Sequence, residues 1–128
     1  MSEKVEDLWP DDFGQADFVT PVTILKGQAS MLGPKTNNLV EAEVKSTTQG
    51  YGFVHTLSLI APALDNYSYK LIQVSHTIEL YPVDVVFLPS NEGYTVMGQD
   101  ALMKSLGRMF NDDRTKSLIR ALIVQSQK

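Results

Sequence analysis

Residues 53–80 read FVHTLSLIAPALDNYSYKLIQVSHTIEL, two apolar–polar alternations around a turn-like APALDNYS. In the first, Phe53, Leu57, Leu59 and Ala61 share one parity, and His55 belongs to that set. In the second, Ile72, Val74, Ile78 and Leu80 share one parity, and His76 belongs to it. The other face of the second stretch carries Tyr69, Leu71, Gln73, Ser75, Thr77 and Glu79. A period of two with one wet face predicts half-buried antiparallel strands. The chain has only these two histidines, and the alternation places both on the buried side.

The register follows from the turns. Upstream, Val40, Ala42 and Val44 alternate with Glu41, Glu43 and Lys45 before the turn signal TTQGYG. A loop at Gln49-Gly50 sets Val44 opposite His55. A loop at Gly50-Tyr51 shifts the pairing by two and keeps the same faces together. In the next hairpin, pairing Ile60 with Tyr69 puts Phe53 opposite His76 and His55 opposite Val74. The histidines are then diagonal neighbours, with Cα atoms about 7–8 Å apart.

The flanks read as helices. Thr20 is a good N-cap, Pro21 suits the first helical position, and Val19 and Ile24 form a hydrophobic staple. Gly33-Pro34 predicts the end of that helix. Residues 100–110 carry Leu102, Met103, Leu106, Met109 and Phe110 at helical spacing. Asn111 or Asp112 predicts the cap of a last helix over 113–126. Pro82 breaks the third strand, and residues 83–97 read either as one strand or as a hairpin. The expected fold is α+β: an antiparallel sheet of three to five strands, with one N-terminal and two C-terminal helices packed on it. Residues 1–17 have no period and read as an acidic arm; residues 18–128 read as one domain.

Composition narrows the function. The 128 residues are 43% hydrophobic and 20% charged, as in a folded globular chain. A net charge of −4 speaks against a nucleic-acid partner. Absence of cysteine fits a reducing compartment. With neither a signal-like start nor a long apolar run, the expectation is a cytoplasmic protein with no membrane contact. Glu3, Glu6, Asp7, Asp11, Asp12 and Asp17 against Lys4 make the head acidic. Lys104, Arg108, Arg114, Lys116, Arg120 and Lys128 outnumber Asp100, Asp112 and Asp113 in the tail. Such ends attract each other, within a chain or between two.

Chemical motifs are few. A zinc site needs at least three protein ligands, and the inner strand faces add no acid to the two histidines. Thr56, Ser58 and Ser75 lie on the opposite face by parity, so none reaches a histidine as a nucleophile. Asp65, in the loop beside Tyr67, has no supporting acid–base motif. MLGPKTN lacks the spacing of a phosphate loop. No catalytic residue, metal or cofactor is expected. His55 and His76 read first as core residues and second as contacts to a small ligand. Trp9 and Phe13 of the arm, with Tyr67, Tyr69 and Leu71 of the sheet, are the expected partner-binding residues. The leading expectation is a small acidic, non-catalytic protein-interaction module, regulatory, chaperone-like or immunity-like, working as a homodimer. The alternative is a small-ligand-binding protein or an unrecognised enzyme with a pocket near His55 and His76.

Overall fold

The computed structural model describes residues 5–14 and 19–127. Glu3, Lys4, Asp17 and Lys128, counted above in the charged ends, lie outside the described residues. The order is α1 (Pro21–Lys35), β1 (Glu41–Gln49), β2 (Gly52–Ala61), a 3-10 turn at Pro62–Leu64, β3 (Tyr67–Thr77), β4 (Val83–Phe87), β5 (Glu92–Val96), α2 (Gln99–Phe110) and α3 (Asp113–Ser126). The strands form one antiparallel sheet in chain order, β1-β2-β3-β4-β5. This is the α+β arrangement that the periodicities predict. Residues 83–97 resolve into the β4–β5 hairpin.

The helix starts follow their capping residues. The Thr20 hydroxyl accepts the Thr23 N–H at 3.3 Å, with Pro21 next to it. The Asp112 carboxylate accepts the Arg114 N–H at 2.8 Å. The end of α1 differs from expectation: Pro34 lies inside the last turn, and Thr36 caps the helix. Asn37 and Asn38 take the left-handed conformation (φ 53° and 62°) in place of Gly33, a region asparagine tolerates better than most residues. The Thr36 hydroxyl then donates to the Val40 carbonyl at 2.7 Å and steers the chain into β1.

The core lies between one sheet face and the helices. Ile24, Leu25 and Ala29 of α1, Leu102, Leu106 and Met109 of α2, and Leu122 of α3 cover Leu57, Leu59, Val74, Val83 and Val85. Met103 departs from its expected buried stripe and is exposed, as is Met97.

The first hairpin turns at Gly50-Tyr51, with Gln49 opposite Gly52. Gly50 has φ +60°, the conformation a type II′ turn requires at its first position. Ser46, not Val44, therefore faces His55.

In the second hairpin, Phe53 faces His76 and His55 faces Val74, as the sequence predicts. Further along, the register slips: Leu57 pairs with Ile72, but Ser58 pairs with Lys70. Leu71 is the extra residue of a β-bulge. The slip sets Leu59 opposite Tyr69 and Ser68 opposite Ile60. It corrects the face assignment made by alternation. Leu71 is 1% exposed and belongs to the core, and Tyr69 packs partly buried against it. Tyr67 remains about half exposed at the start of the strand. Strand β3 also stops at Thr77, so Ile78 is exposed instead of continuing the apolar set.

Candidate functional site

Three sheet positions that the turns align form a hydrogen-bonded polar row. Ser46 of β1, His55 of β2 and His76 of β3 point to the helix side of the sheet, near its β1–β2 turn. His55 is 5% exposed and His76 9%. Their Nε2 atoms lie 2.8 Å apart. His55 Nδ1 lies 2.6 Å from Ser46 Oγ, and His76 Nδ1 lies 2.6 Å from the Thr77 carbonyl oxygen. Phe53 stacks on the His76 ring with centroids 5.5 Å apart.

These contacts fix the proton positions in the neutral pair. A carbonyl only accepts, so His76 Nδ1 carries a hydrogen and donates it to Thr77. His76 Nε2 is then an acceptor, and His55 Nε2–H donates to it. His55 Nδ1 is left as an acceptor for the Ser46 hydroxyl. The row therefore runs in one direction, Ser46 to His55 to His76 to Thr77. One added proton enters at His55 Nδ1, with the Ser46 hydroxyl turning to accept. A second would set two N–H groups against each other across 2.8 Å. Burial, then His76, then Lys26 lower the pKa of His55 below its ordinary value.

The signal for Ser46 was present in the chain, because it continues the parity of Ala42 and Val44. The register with the loop at Gly50-Tyr51 brings it to His55. Among the described residues, no group of three or more His, Asp or Glu side chains is placed to hold a metal ion.

Two further features lie outside this row. A cavity of about 410 Å³ opens between α1, α3 and the sheet. Its floor is Leu57, Leu59 and Leu71, and its walls include Leu32, Phe110 and Ile119. Lys35 is the only charged side chain among its described lining residues. The second feature is the arm. Leu8, Trp9 and Phe13 are exposed, with Trp9 and Phe13 each 76% accessible. Their rings sit 6.3 Å apart. Asp7 Oδ1 accepts the Trp9 N–H at 3.1 Å, and Asp12 Oδ1 accepts the Gly14 N–H at 2.8 Å. Of the expected partner-binding residues, Trp9, Phe13 and Tyr67 are therefore accessible, Tyr69 partly so, and Leu71 not.

A polar clasp ties the far sheet edge to α3. Arg114 reaches both Asp112 and Glu92, and its guanidinium lies 5.3 Å from the Phe87 ring centre. Hydrogen bonds from Ser90, Tyr94 and Arg114 lower the pKa of Glu92, and Arg114 lowers that of Asp112. This clasp reads as a structural contact between a short edge strand and a helix start. Among the described residues, no helix is long and apolar enough to cross a membrane.

No family model matches the chain, and neither a curated protein nor a solved structure matches it.

Proposed function

We propose that the protein is a small non-catalytic interaction module that works as a homodimer, with its acidic arm as the attachment segment. The observation that carries this reading is the exposure of Leu8, Trp9 and Phe13 together on one short stretch. An aromatic pair in water forgoes about 1.5–3 kcal/mol of burial per ring. Apolar clusters rimmed by charge mark contact sites, and Glu6, Asp7, Asp11 and Asp12 supply the rim. The net charge of −4 disfavours nucleic acid as the partner. A cysteine-free chain suits a cytoplasmic setting, and the role is regulatory, chaperone-like or immunity-like.

The test uses Trp9, the only tryptophan. Its emission and iodide quenching are compared at low salt, at about 0.5 M salt, where screening acts within roughly 4–5 Å, and in denaturant. Sedimentation at micromolar protein runs alongside. The expected result is blue-shifted, protected emission and a species at twice the 14.2 kDa chain mass. Emission at the denatured wavelength together with a monomer ends this reading.

A second reading rests on the row Ser46–His55–His76. The Ser46 hydroxyl donates to a base, and His76 holds that base, the arrangement of an activated nucleophile. In an ester cleavage, Ser46 Oγ would attack the carbonyl while its proton passes to His55 Nδ1. That proton would leave with the alcohol, and water would then release the acyl group. The cavity beside His76 is lined by Phe53, Ser75 and Pro82 among others, and Ser46 is not in that lining. For this reason the interaction reading leads. Hydrolysis of p-nitrophenyl acetate that vanishes in Ser46→Ala would reverse the order.

A further inference from the structure

We infer that the cavity between α1, α3 and the sheet receives the arm of a second copy of this chain, and that two copies exchange arms reciprocally. The inference rests on the reading of the arm as an attachment segment and names the surface that receives it.

The arm and the cavity complement each other in two independent ways. The arm presents Leu8, Trp9 and Phe13 without burying them; the cavity has a buried floor of Leu57, Leu59 and Leu71 and apolar walls at Leu32, Phe110 and Ile119 that stay partly accessible. The arm's described charges are Glu6, Asp7, Asp11 and Asp12; Lys35 is the charged residue among the cavity's described lining. Lys116 and Arg120 stand exposed on α3, beside the lining residues Thr115 and Ile119. Each of the two Asp-to-backbone hydrogen bonds fixes the local turn beside one ring, which lowers the ordering cost of docking.

A second copy is the better occupant than the chain's own arm. The Tyr81 hydroxyl donates to the Val19 carbonyl at 3.2 Å and fixes the root of the arm at the start of α1. The cavity lies beside the other half of that helix, at Gln28–Lys35. Within one chain the arm lies outside the cavity, with both rings 76% exposed. Area points the same way. An aromatic side chain buries about 150–250 Å², so one arm removes about 300–500 Å² through Trp9 and Phe13, and two arms about 600–1,000 Å². A stable interface takes about 1,200–2,000 Å², counting both sides. Reciprocal exchange, which doubles the area and covers both cavity mouths, approaches that range, and a single arm falls well short. Exchange also closes under two-fold symmetry and leaves no arm free to recruit a third copy.

The experiment places p-benzoyl-phenylalanine at position 13 of the full chain and irradiates it at micromolar concentration. The expected product has dimer mass and joins position 13 to Gln28–Lys35 or Thr115–Ile119. In parallel, Lys35→Glu weakens the dimer by about fivefold or more, since an attraction becomes a repulsion. Ala29→Leu, which fills the cavity from α1, returns Trp9 to solvent while circular dichroism shows the fold retained. A product of monomer mass overturns the second-copy assignment and indicates the chain's own arm. A dimer-mass product joined elsewhere overturns the cavity and leaves the attachment reading standing. No product, with Trp9 solvent-exposed at every concentration, overturns both. Binding of decanoate to the cavity with no dimer at any concentration assigns the site to a small apolar anion and overturns the inference.

Discussion

His55 and His76 face each other through their Nε2 atoms at 2.8 Å, and only one hydrogen fits between them. One hydrogen bond thereby joins two imidazoles on neighbouring strands into a row, anchored at one end by Ser46 and at the other by the Thr77 carbonyl.

His55 makes stability depend on pH. Burial chiefly, with His76 and Lys26 adding, sets the folded pKa of His55 below the ordinary value. The unfolded chain therefore takes up the proton first as pH falls. The contribution is complete above about pH 6.5, the unfolded value, and is lost as pH falls through the folded one. Glu92 and Asp112 also have lowered pKa values, so their contributions are present above about pH 4 and are lost only in more acid solution. Between about pH 7.5 and 5 the urea midpoint should fall, and His55→Phe should flatten the fall. A midpoint that rises over this range would contradict the assigned protonation.

Removing Ser46 and removing His76 should have unequal effects. Ser46 is exposed, so water can replace its hydroxyl, and Ser46→Ala should cost about 0.5–1.5 kcal/mol. His76→Ala strips a buried donor of its acceptor and leaves a void. The combined cost should be about 2–4 kcal/mol. Urea denaturation at pH 8 measures both, and equal costs would mean the row is not buried as described.

Leu71 offers a direct test of the bulge. Alternation alone puts it on the open face, where truncation changes stability by about 0.5 kcal/mol or less. At 1% exposure on the cavity floor, Leu71→Ala should instead cost about 2–5 kcal/mol. Thermal denaturation separates the two values cleanly.

Thr115 should show the same logic in a helix. Its hydroxyl is buried and donates to the Met109 carbonyl at 2.6 Å, bridging α3 to the end of α2. Thr115→Val keeps the shape and should cost about 0.5–1.5 kcal/mol, because the Met109 carbonyl loses its short bond and keeps only the Asp112 N–H at 3.3 Å. A neutral outcome in denaturant titration would mean that another group replaces the bond.

Local chemistry in the chain anticipates much of this structure. Thr20-Pro21 starts α1 and Asp112 starts α3 because side-chain capping depends on neighbours two or three residues away. The alternation from Phe53 to Ala61 places His55 correctly, since strand parity needs no tertiary information. What failed needed distant information. The bulge at Leu71 follows from matching β3 to both β2 and the helices. Its only trace in the chain is the adjacent apolar pair Leu71-Ile72, which alternation does not explain. Ser46 was missed because both turn registers keep the same faces together, and only the pairing across β1 and β2 tells which side chain meets His55.

The meander has a kinetic consequence. Every strand pairs with its neighbour in the chain, and α1 lies next to β1, so most of the molecule is assembled from short-range encounters. Short-range contacts close quickly. The cavity is the exception. Its walls come from Gln28–Lys35 at one end and Phe110–Ile119 at the other, so it exists only after the last two helices have returned across the sheet. Under the proposed exchange, a chain still leaving the ribosome would present its arm before a receptor exists. Two nascent chains would then not capture each other through this contact until each had finished folding.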